Sequence, residues 1–424
     1  LSANTTASNN VAVGRSALQA NTTGASNVAV GYNSLDANTT ASDNTAVGYE
    51  ALTANTTGTA NVAVGAYALD ANTTASYGTA LGKNALTANT TGTENTAVGA
   101  ESLDANTTGG RNVALGTSSL GSNTTASYNT AVGHSTLYTN TTGANNTAIG
   151  RNALVANTTG GYNVAVGADT LDANTTASSS TALGYGALSA ATTGGSNTAL
   201  GNSAGLAVTT GAENVFVGNH AGYLLTTGAN NICIGHSAMA HGISGNGDKN
   251  IVIGMYADTP ATDTDSSIVM GYDVTGVDTD NFTFGRQSVD SNIAFGGNSI
   301  SIPSDVRLKE DIQDEEIGLN FINDLRPVTF IWKKAKDVPS EMKVHDPDSE
   351  ERVMNGKYNH GFIAQEVKEV IDNYDFKDGF DMWKEDAEDG RQRLGEAALM
   401  PMMVKAVQEL SAKVEELESK LNGE

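Results

Sequence analysis

Over the first two thirds of the chain, apolar residues come in short alternating bursts that give way to polar runs at a constant interval. Units such as Val11-Ala-Val-Gly14, Thr45-Ala-Val-Gly48 and Thr147-Ala-Ile-Gly150 read as period-2 strands, with β-branched residues on one face and a small residue on the other. Gly closes each burst, where the backbone must turn tightly or lie close to a neighbour. These Gly residues stand 17 residues apart from Gly14 to Gly235 without a slip. Such regularity marks a repeat architecture and not a linker. The position before Gly is a large aliphatic, as in Val13, Leu81, Ile149 and Val217, and the one before that is Ala until Phe216 and Cys233. Four residues after Gly stands Leu, from Leu18 to Leu188, and an Asn-Thr-Thr ladder runs at the same interval from Asn4 to Asn174.

A period of 17 is too short for a helical hairpin and suits one coil of two short strands joined by two turns. The expected fold is mainly β: a parallel β-roll or β-solenoid whose fourteen regular coils, stacked at about 4.8 Å, make a rod of roughly 65 Å. Each coil offers only two or three large aliphatic side chains. That is a thin core for 17 ordered residues whose entropy costs ~1–2 kcal/mol each. An oligomer is therefore expected, with the invariant Ala letting a second surface approach closely. Units such as "NTAVGYEAL" and "NVAVGAYAL" resemble the head repeats of trimeric autotransporter adhesins, and are similar to units of bacteriophage tail fibres. The resemblance covers about residues 1–300 and implies a left-handed β-roll in which three chains pack side by side. The usual repeat of that family is a few residues shorter.

After Gly235 the pattern loosens. Gly254 comes 19 residues later, past an enlarged turn at 241–248, and Phe282, Phe284 and Phe295 enter. Residues 1–240 are read as the repetitive shaft, and 241–303 as its irregular distal coils and a neck. Asp263, Asp265, Asp278 and Asp280 form two Asp-Thr-Asp units. Paired carboxylates on turns can hold Ca²⁺, but the Gly and distal Glu of an EF-hand loop are absent, so solvated acidic turns are expected. His134 and His236 each follow a repeat Gly, and read as surface or stacked polar residues. The Asn-Thr-Thr units match the glycosylation sequon; recurring in every coil, they read instead as turns, with Asn in the left-handed conformation and Thr side chains laddering between coils. Those Thr sit at turns, which argues against an ice-binding face. Phe216, His220 and Tyr223 break the repeat near its end, and Tyr32 and Tyr49 directly follow a Gly. They are candidate stacking surfaces for sugars, with packing between turns as the plainer reading.

Composition sharpens the division. Only 17% of residues are charged, against about 25% in an average soluble domain. Residues 1–240 hold only 4 basic and 10 acidic residues, whereas 304–424 hold 17 and 29. A charged, aromatic-bearing domain therefore follows a nearly uncharged repeat. The net charge of −24 argues against nucleic acid as a partner. The lone Cys233 builds neither a disulfide framework nor a Cys-based zinc site. No apolar run reaches a membrane span, and no cleavable leader opens the chain. Leu1 already lies within a repeat, so an attachment region is expected before it.

From Ser304 the sequence reads "SDVRLKEDI", "LNFINDLRPVTFIWKK", "NHGFIAQEVKEVI" and "ALMPMMVKAVQELSAKVEELESKL". Val328–Trp332 is expected to be a strand and Ile363–Ile371 an amphipathic helix. A last helix starts near Pro401, which a first turn tolerates. Its heptads place Met400, Val407, Val414 and Leu421 at a, with Met403, Leu410 and Leu417 at d, a coiled-coil seam within about 394–422. β-branched a residues with Leu at d lean towards a parallel dimer; the trimer implied by the repeats is preferred. The four segments, over 304–424, resemble the intramolecular chaperone domain of endosialidases and phage tail spikes and fibres. That resemblance implies a small α+β domain that trimerises, drives folding of the β-structured trimer upstream and then cuts itself off. It places the cut immediately before Ser304, at Pro303–Ser304. On the same motif it makes Ser304 the nucleophile, Lys309 the general base, and Asp305 and Arg307 positioning residues.

The chemistry agrees. A Ser hydroxyl is a poor nucleophile until a base takes its proton, and a Lys can do so only if desolvation or nearby cations lower its pKa from ~10.4. A packed trimer would supply that environment and so couple cleavage to correct folding. On residue types alone, a Ser and a Lys five apart near a helix start are more often structural, with Ser or Asp as N-cap. His360 reads as a core or surface histidine with an assisting role as the alternative. The expected function is a homotrimeric phage tail fibre segment, made in the host cytoplasm and resident in the virion. It would contact a host cell-surface receptor of glycan type and join other tail proteins through the region before Leu1. No cofactor, metal or turnover reaction is expected beyond self-cleavage. The alternatives are a bacterial surface adhesin of trimeric autotransporter type, which needs an anchor that does not follow Glu424, and a depolymerase-type tail spike. The stacked positions offer Ala, Leu, Asn and Thr where a depolymerase needs an acid cleft.

Overall fold

Short strands recur once in every 17 residues: β1 (Val11–Val13), β2 (Val28–Val30) and onward in step to β14 (Ile232–Ile234). β15 (Ile251–Ile253), β16 (Ile268–Tyr272) and β17 (Asn281–Arg286) extend the series, and β18 (Val289–Ala294) follows. Each pairs in parallel with the next, like residue on like: Val11 with Val28, Ala12 with Ala29, Val13 with Val30. The 19-residue step keeps this register, with Cys233 opposite Val252. β18 turns back antiparallel on β17 and ends the ladder. The molecule is a mainly β, parallel β-solenoid of 17-residue coils, followed by a small C-terminal unit that ends in a helix. In this computed structural model the two compact units are Leu1–Pro303 and Ser304–Glu424. The structure describes all residues except 1, 241–245, 262, 297–299, 301–303, 305, 307, 308, 343, 375, 377–379, 386–389 and 424.

The repeat Gly is needed for two reasons at once. Gly31 has φ 140°, and a Cβ there would lie 2.1 Å from the carbonyl oxygen of Gly48 in the next coil. Each coil carries one strand where two were expected. The segment after Gly cannot extend, because two positions in it are left-handed: Ser16 (φ 60°) and Leu18 (φ 53°), and likewise Asn33 and Leu35. A left-handed Leu costs roughly 1–2 kcal/mol, offset by burying the side chain completely, worth about 1.5–3 kcal/mol. Its backbone still ladders, Leu18 N–H donating to Ser34 O at 3.0 Å.

The central Ala of each strand faces the coil interior and is fully covered, so it is not the surface that a second chain would meet. The outward stripe is the aliphatic before Gly: Val13 is 57% exposed, and Leu183 and Leu200 are each 45% exposed.

Inside the coils, two columns of Asn are buried. In one, each amide Nδ2 donates to the Oδ1 of the Asn one coil back, as Asn38 to Asn21 (2.9 Å) and Asn106 to Asn89 (2.8 Å), and also to a carbonyl three residues on. In the other, Asn27 Oδ1 accepts from the backbone N–H of Asn44, and Asn27 Nδ2 donates to Ala41 O. The Asn of Asn-Thr-Thr is therefore a buried amide rung and not a left-handed turn residue. The Thr ladder is present: Thr22 Oγ1 donates to Thr39 O at 3.0 Å. The first column ends at Asn174, because the next rungs are Ala191, Val208 and Leu225. Asn174 Oδ1 is accordingly a buried side-chain oxygen without a partner among the described residues. Beyond it the core is repacked. Gly205 and Gly222 replace the left-handed Leu, and the ring of Phe216, at the Ala position, fills the space they leave. Phe216 is wholly buried and is not a sugar-stacking surface.

In the second unit α1 (Leu319–Asp324) precedes β19 (Val328–Phe330), which pairs antiparallel with β20 (Asn359–Gly361). Then come α2 (Ala364–Asp372), the hairpin of β21 (Trp383–Glu385) and β22 (Gln392–Leu394), and α3 (Met400–Asn422). The core is Phe321, Leu325, Val367, Met382, Leu399 and Met402.

The amide column predicts unequal costs for the same substitution. Asn106→Ala strands Asn89 Oδ1 and removes the acceptor of Asn123, which should cost about 1–3 kcal/mol. Asn174→Ala only moves an existing orphan acceptor back to Asn157. Its drop in thermal midpoint, followed by circular dichroism, should be less than half as large.

Candidate functional site

The second unit opens on the two residues that the motif singles out. Lys309 Nζ donates to Ser304 Oγ at 2.7 Å, and a turn in which Lys309 N–H donates to Val306 O (3.2 Å) brings them together. Both side chains are exposed. The ammonium thus occupies a lone pair of the hydroxyl, whereas a base must accept the hydroxyl proton. Pro303, Asp305 and Arg307 lie outside the described residues. His360 stands exposed on β20 opposite Thr329, and no hydrogen bond joins it to Ser304 or Lys309 among the described residues.

Behind these residues, α1 is held by contacts that the sequence does not advertise. Glu409 of α3 accepts from the N–H of Leu319 at the start of α1, at 2.9 Å. A carboxylate at a helix N-terminus satisfies an orphan donor and meets the positive end of the dipole. Arg326 is paired with both carboxylate oxygens of Glu366, which holds that carboxyl below its usual range. Tyr374 Oη donates to Asp324 at 2.6 Å, and this bond pushes the phenol up to about 12. Phe321 meets Tyr374 and Phe376 edge-on, and Phe376 stacks on Phe380 at 4.0 Å between centroids. The apolar spacing of Phe321 could have been read from "LNFINDL"; the pairing of Glu409 with a residue 90 positions away could not.

The last helix carries two apolar faces. Met402 and Ala406 are buried against their own unit. Met400, Met403, Val407, Leu410, Val414, Leu417 and Leu421 are all exposed, up to 86% at Leu421. They are the a and d positions of the expected seam. No helix is long and apolar enough to cross a membrane.

The weaker candidates resolve into ordinary roles. Asp265 Oδ1 accepts from Asp248 N–H and Asp278 Oδ1 from Thr279 N–H. Among the described residues no group of three or more His, Cys, Asp or Glu is placed to hold a metal ion. His134 is exposed, and His236 joins a line of aromatic rings on the coil surface. Tyr32 and Tyr49 are stacked at 5.2 Å and partly exposed.

Residues 304–376 match the family model described as the chaperone of endosialidase. The match starts on Ser304, spans α1, β19, β20 and α2, and leaves the solenoid and α3 outside. No curated protein and no solved structure matches the chain. The molecule thus couples a β-solenoid to an endosialidase-chaperone module.

Glu409→Ala should expose the N-terminus of α1 and loosen it from α3, costing about 1–2 kcal/mol. Amide exchange at 319–322 should accelerate while the solenoid strands keep their protection. Unchanged exchange there would remove Glu409 from the account.

Proposed function

We propose that the chain is a segment of a trimeric phage tail fibre or spike that contacts the host surface. Its C-terminal unit is an intramolecular chaperone that drives trimer folding and then releases itself before Ser304. The observation that carries this reading is a coincidence at one bond. The matched family region begins at Ser304, the compact units divide between Pro303 and Ser304, and Ser304 is already hydrogen-bonded to Lys309.

In the proposed step, Lys309 in its neutral form takes the Ser304 hydroxyl proton. Oγ attacks the carbonyl carbon of residue 303, to which the Ser304 nitrogen is bonded. The C–N bond breaks, the nitrogen takes a proton, and the acyl group passes to oxygen; water then hydrolyses the ester. In the single chain Lys309 is exposed and donates to Ser304, an arrangement that leaves the hydroxyl inactive. Packing of three copies would desolvate the pair and disfavour the ammonium, so that cleavage waits for assembly. The exposed a/d seam of α3 and the aliphatic stripe of the solenoid are the surfaces that copies would cover.

Intact-mass measurement tests the proposal. The parent chain should lose a fragment running from Ser304 to Glu424, while Ser304→Ala and Lys309→Ala chains stay whole. Val407→Asp with Val414→Asp, placed on the seam, should block trimer formation and cleavage together. Cleavage in the Ser304→Ala chain, or in a monomer, would contradict the mechanism.

A further inference from the structure

The coil surface carries one chemistry that trimer assembly and self-cleavage leave unused. On successive coils near the C-terminal end of the solenoid, rings form a continuous line. His220 lies 4.8 Å from Tyr223 and 6.4 Å from His236, His236 lies 5.2 Å from Tyr256, and Tyr256 lies 6.5 Å from Tyr272. Arg286, in register with Tyr272 across β16 and β17, ends the line with its guanidinium 5.9 Å from the Tyr272 ring. A shorter line on the same edge of the first coils has the same form: Arg15 over Tyr32 at 5.5 Å, then Tyr49 and Tyr67. Cations are scarce here, since 1–303 contains only Arg15, Lys83, Arg111, Arg151, Lys249 and Arg286. Arg111 and Arg151 are paired with Glu94 and Asp169. Neither Arg15 nor Arg286 makes an ion pair among the described residues, in an acid-rich molecule where carboxylates are plentiful.

We propose that the strip His220–Tyr223–His236–Tyr256–Tyr272–Arg286 binds a linear acidic polysaccharide. Coils rise by about 4.8 Å, close to the length of one sugar unit in an extended chain. Successive apolar sugar faces would then meet successive rings, and the imidazole and phenol edges would hydrogen-bond the hydroxyls. Arg286, already held over an aromatic face, is free to pair with a uronate carboxylate. The carboxylate nearest this end, Asp273, faces Gln287 Nε2 at 3.4 Å. In the N-terminal line Glu50 is hydrogen-bonded to Tyr49 and pushes that phenol up to about 12, so a fixed negative charge already sits there. Charge complementarity therefore selects the C-terminal strip. This inference rests on the host-surface reading and names its receptor class.

The test is binding of the full-length chain to immobilised hyaluronate and alginate, both uronate polymers, with dextran as the uncharged comparison. Saturable binding to at least one uronate polymer is expected, weaker for dextran by about tenfold or more. Arg286→Gln, Tyr272→Ala and His236→Ala should each weaken it by about tenfold. Tyr162→Ala, which removes an exposed tyrosine off the strip, should leave it unchanged. No binding to either uronate polymer, binding no tighter than to dextran, or binding indifferent to the three substitutions overturns the proposal. A change of native mass in those variants also overturns it, because the strip would then be an interface between copies. Loss of polysaccharide binding with native mass and cleavage intact would bear on the strip alone.

Discussion

Each coil can satisfy its buried amides only through the coils above and below it. Asn Nδ2 needs the Oδ1 one rung back, Asn Oδ1 in the other column needs the next backbone N–H, and each Gly must leave room for the next Gly carbonyl. A coil shifted by one residue would bury unpaired amides at several places at once, each costing about 1–3 kcal/mol. That penalty fixes the 17-residue register more firmly than hydrophobic contact does, since the interior is mostly Ala and Leu. It also explains why the sequence changes as a group where the column stops. After Asn174 the rungs become Ala191, Val208 and Leu225, and Phe216 with Gly205 and Gly222 replaces the Ala-and-Leu packing.

The same constraint leaves the outside underemployed. With Ala turned inward, the larger Val, Leu and Ile side chains of the strands look out along the whole ladder. In the second unit, α3 buries Met402 and Ala406 but leaves its heptad seam uncovered. Two separate elements thus expose long apolar stripes on a chain whose overall charged fraction is low. Both stripes are geometrically regular, and a second copy of the same chain is the partner whose spacing matches each without adjustment. The Ser304–Lys309 pair fits this picture, since its chemistry depends on a desolvation that one chain does not provide.

One coil per 17 residues could be read directly from the Gly column, because a residue with φ near 140° under a neighbouring carbonyl can be nothing else. The number of strands per coil could not, because nothing in the type Leu announces a left-handed backbone at Leu18 or Leu35. The role of Asn21 and its equivalents was ambiguous for a similar reason: Asn serves equally in an exposed turn and as a buried amide, and only the path of the Thr-Thr segment decides. The inward direction of Ala followed from that same path. In the second unit the local motif placed Ser304 and Lys309 together, whereas contacts between distant segments, such as Glu409 with Leu319, carry no local signal.

The most direct measurement is the native mass of the Ser304→Ala chain by light scattering. One chain weighs 43.5 kDa, and the account predicts a species of three chains across the accessible concentration range. A stable monomer or dimer would contradict it, because the outward aliphatic stripe and the seam of α3 would then have to remain uncovered or be covered in some other way.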